Sequence, residues 1–81
     1  MKSRTSPQFD EQYTTLPDAI KKKAKKQIHF LTENLRHPSL RAKKYDEIQD
    51  IWQARIDRHY RFYFRIENDT YLLLKITAHS D

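Results

Sequence analysis

Eighty-one residues with 37% hydrophobic side chains, 12% aromatics and no cysteine suffice for one small domain, residues 1–81, with a modest core. They exclude a second domain, a disulfide framework and a thiolate metal site. Sixteen Lys and Arg against eleven Asp and Glu give a formal net charge of +5 and a pI near 9.6, which favours polyanionic partners: nucleic acid first, then an acidic protein or an anionic membrane. The N-terminus lacks the charged, apolar, small order of a signal peptide, and no apolar run is long enough for a transmembrane helix, so the expected setting is the cytoplasm, without a membrane partner.

Lys2-Ser3-Arg4-Thr5 is long enough to pair as an edge strand. Ser6-Pro7 then marks a helix start, because a serine side chain satisfies an orphan N–H and proline's missing donor costs nothing in the first turn. A short helix carrying Phe9 and Tyr13 follows. Pro17-Asp18 opens a second helix, in which Leu16, Ile20, Ala24, Ile28, Leu31 and Leu35 recur every three or four residues as one buried stripe. Lys21, Lys22, Lys23, Lys25 and Lys26 occupy its other faces, either as a solvated surface or as contacts to distant phosphates.

The chain has no glycine, so left-handed backbone must come chiefly from Asn, Asp or His, and Asn34 and Asn68 both fall where elements should end. Pro38 stops the helix, and Arg41-Ala42-Lys43-Lys44-Tyr45 leads into the region that organises the rest of the molecule.

From Ile51 onward, apolar residues fall on alternate positions, as in strands with one buried face: Trp52, Ala54 and Ile56, then Tyr60, Phe62, Phe64 and Ile66, then Leu72, Leu74 and Ile76. The opposite face carries Gln53, Arg55, Arg61, Tyr63, Arg65, Tyr71, Leu73, Lys75, Thr77 and, if the last strand runs on, His79. Keeping Phe62 on the same face as Ala54 and Leu74 requires odd-length hairpin loops, Asp57-Arg58-His59 and Glu67-Asn68-Asp69 or a neighbouring odd loop. The first loop sets Arg55 opposite Arg61. Two arginines directly across a strand pair repel by a few tenths to about 1 kcal/mol, so they are either there to meet a phosphate or paired with Asp57, Glu67 or Asp50 on a solvated sheet. The predicted architecture is α+β, two N-terminal helices on one face of a small antiparallel sheet.

Histidines at 29, 37, 59 and 79 show no ligand spacing, and without glycine there is neither a phosphate-cradling loop nor a nucleophile elbow. No metal and no other cofactor is expected. Metal-free RNA cleavage, by contrast, requires groups that promote attack by the 2′-hydroxyl, protonate the leaving 5′-oxygen and stabilise an anionic phosphorane, and arginines with one histidine cover those roles.

The ordered segments Leu35 to Lys44 (LRHPSLRAKK), Asp50 to Ile56 (DIWQARI), Tyr60 to Phe64 (YRFYF) and Leu74 to His79 (LKITAH) closely resemble RelE/ParE-type toxins of bacterial type II toxin–antitoxin modules. In the mRNA-cleaving branch of that family, a basic strand residue, the arginine after the tyrosine of the next strand and a basic residue near the end of the last strand form the site. They correspond here to Arg55, Arg61 and His79. The resemblance implies an mRNA interferase that enters the ribosome and cuts translated mRNA. It also implies a cognate antitoxin, disordered when free, that neutralises the toxin by wrapping it with acidic and apolar side chains. Lys43, Lys44, Arg58, Tyr63, Arg65 and Lys75 are the expected RNA-binding residues. The ParE branch, which inhibits DNA gyrase without cutting RNA, is the alternative within the family, and an inactive binding relative a further one.

Overall fold

The computed structural model describes residues 1–78. The elements are β1 (Lys2–Thr5), α1 (Pro7–Thr14), α2 (Asp18–Glu33), a 3₁₀ turn (Pro38–Leu40), β2 (Lys43–Asp46), β3 (Ile51–Arg55), β4 (Tyr60–Glu67) and β5 (Thr70–Ala78). One five-stranded sheet runs β1-β5-β4-β3-β2, antiparallel throughout except that β1 lies parallel to β5. The N-terminal edge strand is therefore present, and β2 adds an opposite edge that the sequence pattern did not reveal.

Local chemistry accounts for the helix boundaries. The Ser6 hydroxyl accepts the Phe9 N–H at 3.0 Å, with Pro7 in the first turn of α1. Thr15 closes that helix on the Gln12 and Tyr13 carbonyls. The first turn of α2 carries Asp18, whose charge suits the positive end of the helix dipole. The helix ends at Asn34, whose N–H reaches the Phe30 carbonyl at 2.8 Å. Asn34 is extended (φ −160°), and among the described residues the left-handed ones are Arg41, Asp50 and Asn68.

The helices cover one face of the sheet. Phe9, Leu16, Ala24 and Leu31 from the helical layer meet Ala54, Ile56, Phe62, Phe64 and Ile76 in a single core. Trp52 is half-buried at its margin, stacked on Phe64 at 6.2 Å between ring centroids.

The third strand of the meander departs from the expected alternation. Tyr71 (3% exposed) and Leu73 (1%) are in the core, while Leu72 and Leu74 are only half-buried. Two features cause this together. The β4–β5 turn holds only Asn68 and Asp69, since Glu67 pairs with Thr70, and this even loop shifts the phase by one residue. A bulge at Leu74 then restores it: Phe64 pairs with Leu73 but Tyr63 pairs with Lys75. Ile76 thus returns to the core. In Tyr71-Leu72-Leu73-Leu74 the side chains are apolar in both phases, so periodicity could not choose between them.

Candidate functional site

The outer face of the sheet is laid out in cross-strand rows. Arg55 pairs with Arg61, and Arg61 with Thr77. One step along, Lys43, Gln53, Tyr63 and Lys75 run across all four antiparallel strands. The three-residue loop Asp57-Arg58-His59 produces the arginine pairing, with Ile56 donating to the Tyr60 carbonyl at 2.9 Å. Opposite residues of such a ladder hold their Cβ atoms about 4.5–5.5 Å apart.

Arg41, Lys43, Gln53, Ala54, Arg55 and Arg61 line an open cavity of about 210 Å³. It holds four cationic side chains and no carboxylate among the described residues. The acidic groups expected as partners of the arginines are engaged elsewhere or lie away from the cavity. The Asp57 carboxylate accepts the N–H groups of His59 (2.8 Å) and Tyr60 (2.9 Å) and pairs with Lys23 at 3.7 Å. Asp50 pairs with Lys44, and Glu67 is exposed at the far end of β4. Among the described residues neither Arg55 nor Arg61 makes an ion pair.

Two devices hold the cavity's walls. Arg41 follows the 3₁₀ turn with φ 47°, a left-handed conformation uncommon for arginine, and it turns the chain into β2 with its side chain on the cavity. Gln27, 4% exposed in the middle of α2, donates through its amide to the carbonyls of Arg55 (2.8 Å) and Ser39 (3.1 Å). Its own oxygen accepts the Ser39 hydroxyl at 3.1 Å. One buried amide therefore ties the end of β3 to the 3₁₀ turn that leads to Arg41. His37, which precedes the 3₁₀ turn, stacks on Phe30 of α2 at 3.9 Å between ring centroids.

The expected residues do not all lie together. Lys43 shares the cavity with Arg55 and Arg61. Lys44, next in β2, pairs with Trp52, on the other face of the sheet, with its ammonium 5.0 Å from the indole centroid. The hydrogen bond from Lys44 to Asp50 holds that ammonium above its ordinary pKa of 10.5, against the opposing effect of desolvation. Arg58 is exposed at the tip of the β3–β4 loop. Tyr63 is buried (8% exposed), in a T-shaped pair with Tyr45 at 4.9 Å between ring centroids and with the Lys75 ammonium 4.9 Å from its own centroid. Arg65 donates through Nε to the Gln49 carbonyl at 3.1 Å. His79 lies outside the described residues. Arg41 and Gln27 escaped sequence reasoning: an arginine in a basic run and a glutamine in a lysine-rich helix show nothing until the fold brings them to one cavity.

The model of the ParE toxin of type II toxin–antitoxin systems matches residues 4–81. The chain belongs to the ParE toxin family. Its fold is shared by solved structures of low sequence identity. The YoeB/ParE toxin from Agrobacterium tumefaciens superposes with a TM-score of 0.82 at 16% identity, covering 99% of this ParE-family chain and 100% of that one. A chain of the RelB-RelE antitoxin-toxin complex from Methanococcus jannaschii gives 0.75 at 18%, covering 91% and 87%. The isolated E. coli RelE toxin gives 0.77 at 11%, covering 99% and 85%. Among curated proteins no sequence matches. The ParE-family chain is thus a toxin of a type II toxin–antitoxin system, with two helices on a mixed five-stranded sheet. No helix among its described residues is long and apolar enough to cross a membrane.

Proposed function

We propose that this toxin is a metal-independent, ribosome-dependent endoribonuclease that cuts translated mRNA. The observation that carries the proposal is the Arg55–Arg61 pair, held by the ladder in a cavity with Arg41 and Lys43 and without a carboxylate among the described residues. Such a cavity suits a phosphate diester. In the proposed reaction the 2′-oxygen attacks phosphorus and gives its proton to solvent water, the bond to the 5′-oxygen breaks, and that oxygen takes up a proton, leaving a 2′,3′-cyclic phosphate. Arg61 stabilises the charge of the phosphorane between these events, Arg55 and Lys43 hold the phosphate, and His79 is the assigned proton donor. The antitoxin, by this reading, brings acidic and apolar side chains over the same face and neutralises the toxin by occupation.

Mapping mRNA 5′ ends after induced expression tests the proposal. New ends inside codons of translated messages, unchanged by EDTA in a cell-free translation reaction, are expected. Intact messages would overturn it. The match to the ParE model favours a second reading, inhibition of DNA gyrase without RNA cleavage. Intact mRNA accompanied by induced DNA breaks is the outcome that selects it.

A further inference from the structure

Both interruptions of the sheet ladder place an extra side chain on the outer face. In β2, Lys44 pairs with Trp52 and Asp46 with Ile51, so Tyr45 is supernumerary. In β5, Leu74 is. These two residues, from strands that do not touch in the sheet, line one groove of about 410 Å³ with Ile51, Tyr63, Arg65 and Lys75. An unbulged sheet would not bring this apolar surface to a face otherwise rich in cations. The groove adjoins the arginine cavity across the Lys43-Gln53-Tyr63-Lys75 row.

Tyr45 is the exposed ring of this groove. It is 58% exposed, although its ring is held in a T-shaped contact with that of Tyr63, 4.9 Å between centroids. Tyr63 lies beneath it, screened by Lys75. Arg65 and Lys75 supply positive charge at the rim, and no carboxylate lines the groove among the described residues. An anchored aromatic face, a leucine beside it and two flanking cations form the arrangement that holds an unpaired base by stacking while its backbone is attracted electrostatically.

We propose that the groove of Tyr45 and Leu74 is a nucleobase subsite, in which a base flanking the phosphate held by Arg55 and Arg61 stacks on Tyr45. The inference rests on the reading of the arginine cavity as an RNA phosphate site, but its test reads binding and not cleavage. Binding at this site requires a base but tolerates any sequence, since every base has a stacking face.

The test uses the full chain and a short mixed-sequence RNA oligonucleotide, with an abasic oligonucleotide of the same length and charge as its control. Tyr45→Ala is expected to weaken binding of the base-containing RNA about tenfold, to leave abasic binding unchanged, and to leave the salt dependence unchanged because no phosphate contact is lost. Tyr45→Phe is expected to bind as the parent does, since the ring suffices. Equal losses on both oligonucleotides, no loss on either, or no binding of RNA by the parent chain would each overturn the subsite. A loss confined to a protein partner would assign the groove to that partner and overturn it as well. If base-dependent binding is found while mRNA stays intact in cells, the cleavage reading fails and the subsite stands. If cleavage is found with Tyr45→Ala unaffected in binding, the reverse holds.

Discussion

Arg55 faces Arg61 across the β3–β4 ladder, and neither has an ion-pair partner among the described residues. The pairing is set by backbone register and persists without electrostatic benefit, so under the proposed function the two arginines are expected to contribute to activity and stability with opposite sign. Arg61→Ala is expected to leave the melting temperature unchanged or raise it, the relieved repulsion being a few tenths to about 1 kcal/mol. It should lower cleavage by a factor on the order of 100, because a fixed charge beside the phosphorane is lost. Thermal melts and cell-free translation assays on Arg61→Ala and Arg55→Ala check this. A destabilised variant that cleaves at the parental rate would sink the assignment.

The neighbouring lysines of β2 should separate in experiment as they do in space. Lys43→Ala is expected to weaken RNA binding and to reduce the slope of log affinity against log salt by about one phosphate contact. Lys44→Ala is expected to leave that slope unchanged. Titrations at several salt concentrations decide between them, and equal slopes for the two variants would contradict the division.

Lys44 also has a pH signature. Its ammonium is held above pKa 10.5 in the folded chain by the hydrogen bond to Asp50, so the folded state binds the proton more tightly than the unfolded one. The resulting stabilisation is present in full below pH 10.5 and is lost as the pH rises through the higher folded value. The stability difference between the parent and Lys44→Ala should therefore be constant from neutral pH to about pH 10 and shrink above it. Chemical denaturation across that range measures it; a difference that grows with alkalinity would have the wrong sign.

Gln27 is far from solvent, yet its amide reaches the carbonyl of Arg55. Gln27→Leu leaves two carbonyls, those of Arg55 and Ser39, without this donor, at an expected cost of about 1–3 kcal/mol. The walls that carry Arg55 and Arg41 should loosen together, so RNA affinity should fall even at temperatures where the variant is fully folded. Full parental affinity in a folded variant would show that the cavity holds its shape without the clamp.

The two-residue β4–β5 turn depends on Asn68 at φ 57°. Asn68→Gly should be neutral within a few tenths of a kcal/mol, whereas Asn68→Val should cost about 1–2 kcal/mol, the ordinary cost of a left-handed residue that has a branched Cβ. Denaturant midpoints for the two variants give the comparison directly.

The sequence disclosed most of this architecture where side chains differ sharply by face. In β3 and the first half of β4, strict alternation of Ala54, Ile56 and Phe62 with Gln53, Arg55 and Arg61 left one register open, and the three-residue loop and the arginine pairing followed. In β5 the alternation dissolves into consecutive leucines, and the Asn68-Asp69 turn with the Leu74 bulge decided what pattern could not. β2 was hidden because Lys43, Lys44 and Tyr45 have no apolar phase: Lys43 lies on the arginine cavity, and the bulge gives Tyr45 to the outer face. Arg41 defied the expectation that left-handed backbone would fall on Asn, Asp or His, and a strained arginine is visible only in dihedral angles. The clamp by Gln27 joins residues far apart in the chain, which no local window contains.

The parallel pairing of β1 with β5 joins Lys2 to Thr70, and the cover continues past the strand: Ser6 bonds the carbonyls of Leu73 and Leu74, and the Gln12 side chain accepts the Ile76 N–H. A segment at one end of the described chain thus shields the backbone of a strand at the other. The β3–β4 hairpin closes over three residues, while the β1–β5 pairing closes a loop of some 68 residues (Lys2 to Thr70), so the arginine pair is expected to form before β1 docks. Before docking, β5 presents a row of open backbone groups to any neighbouring strand. Nascent or truncated toxin would therefore be at risk of strand exchange while its cationic cavity was already assembled.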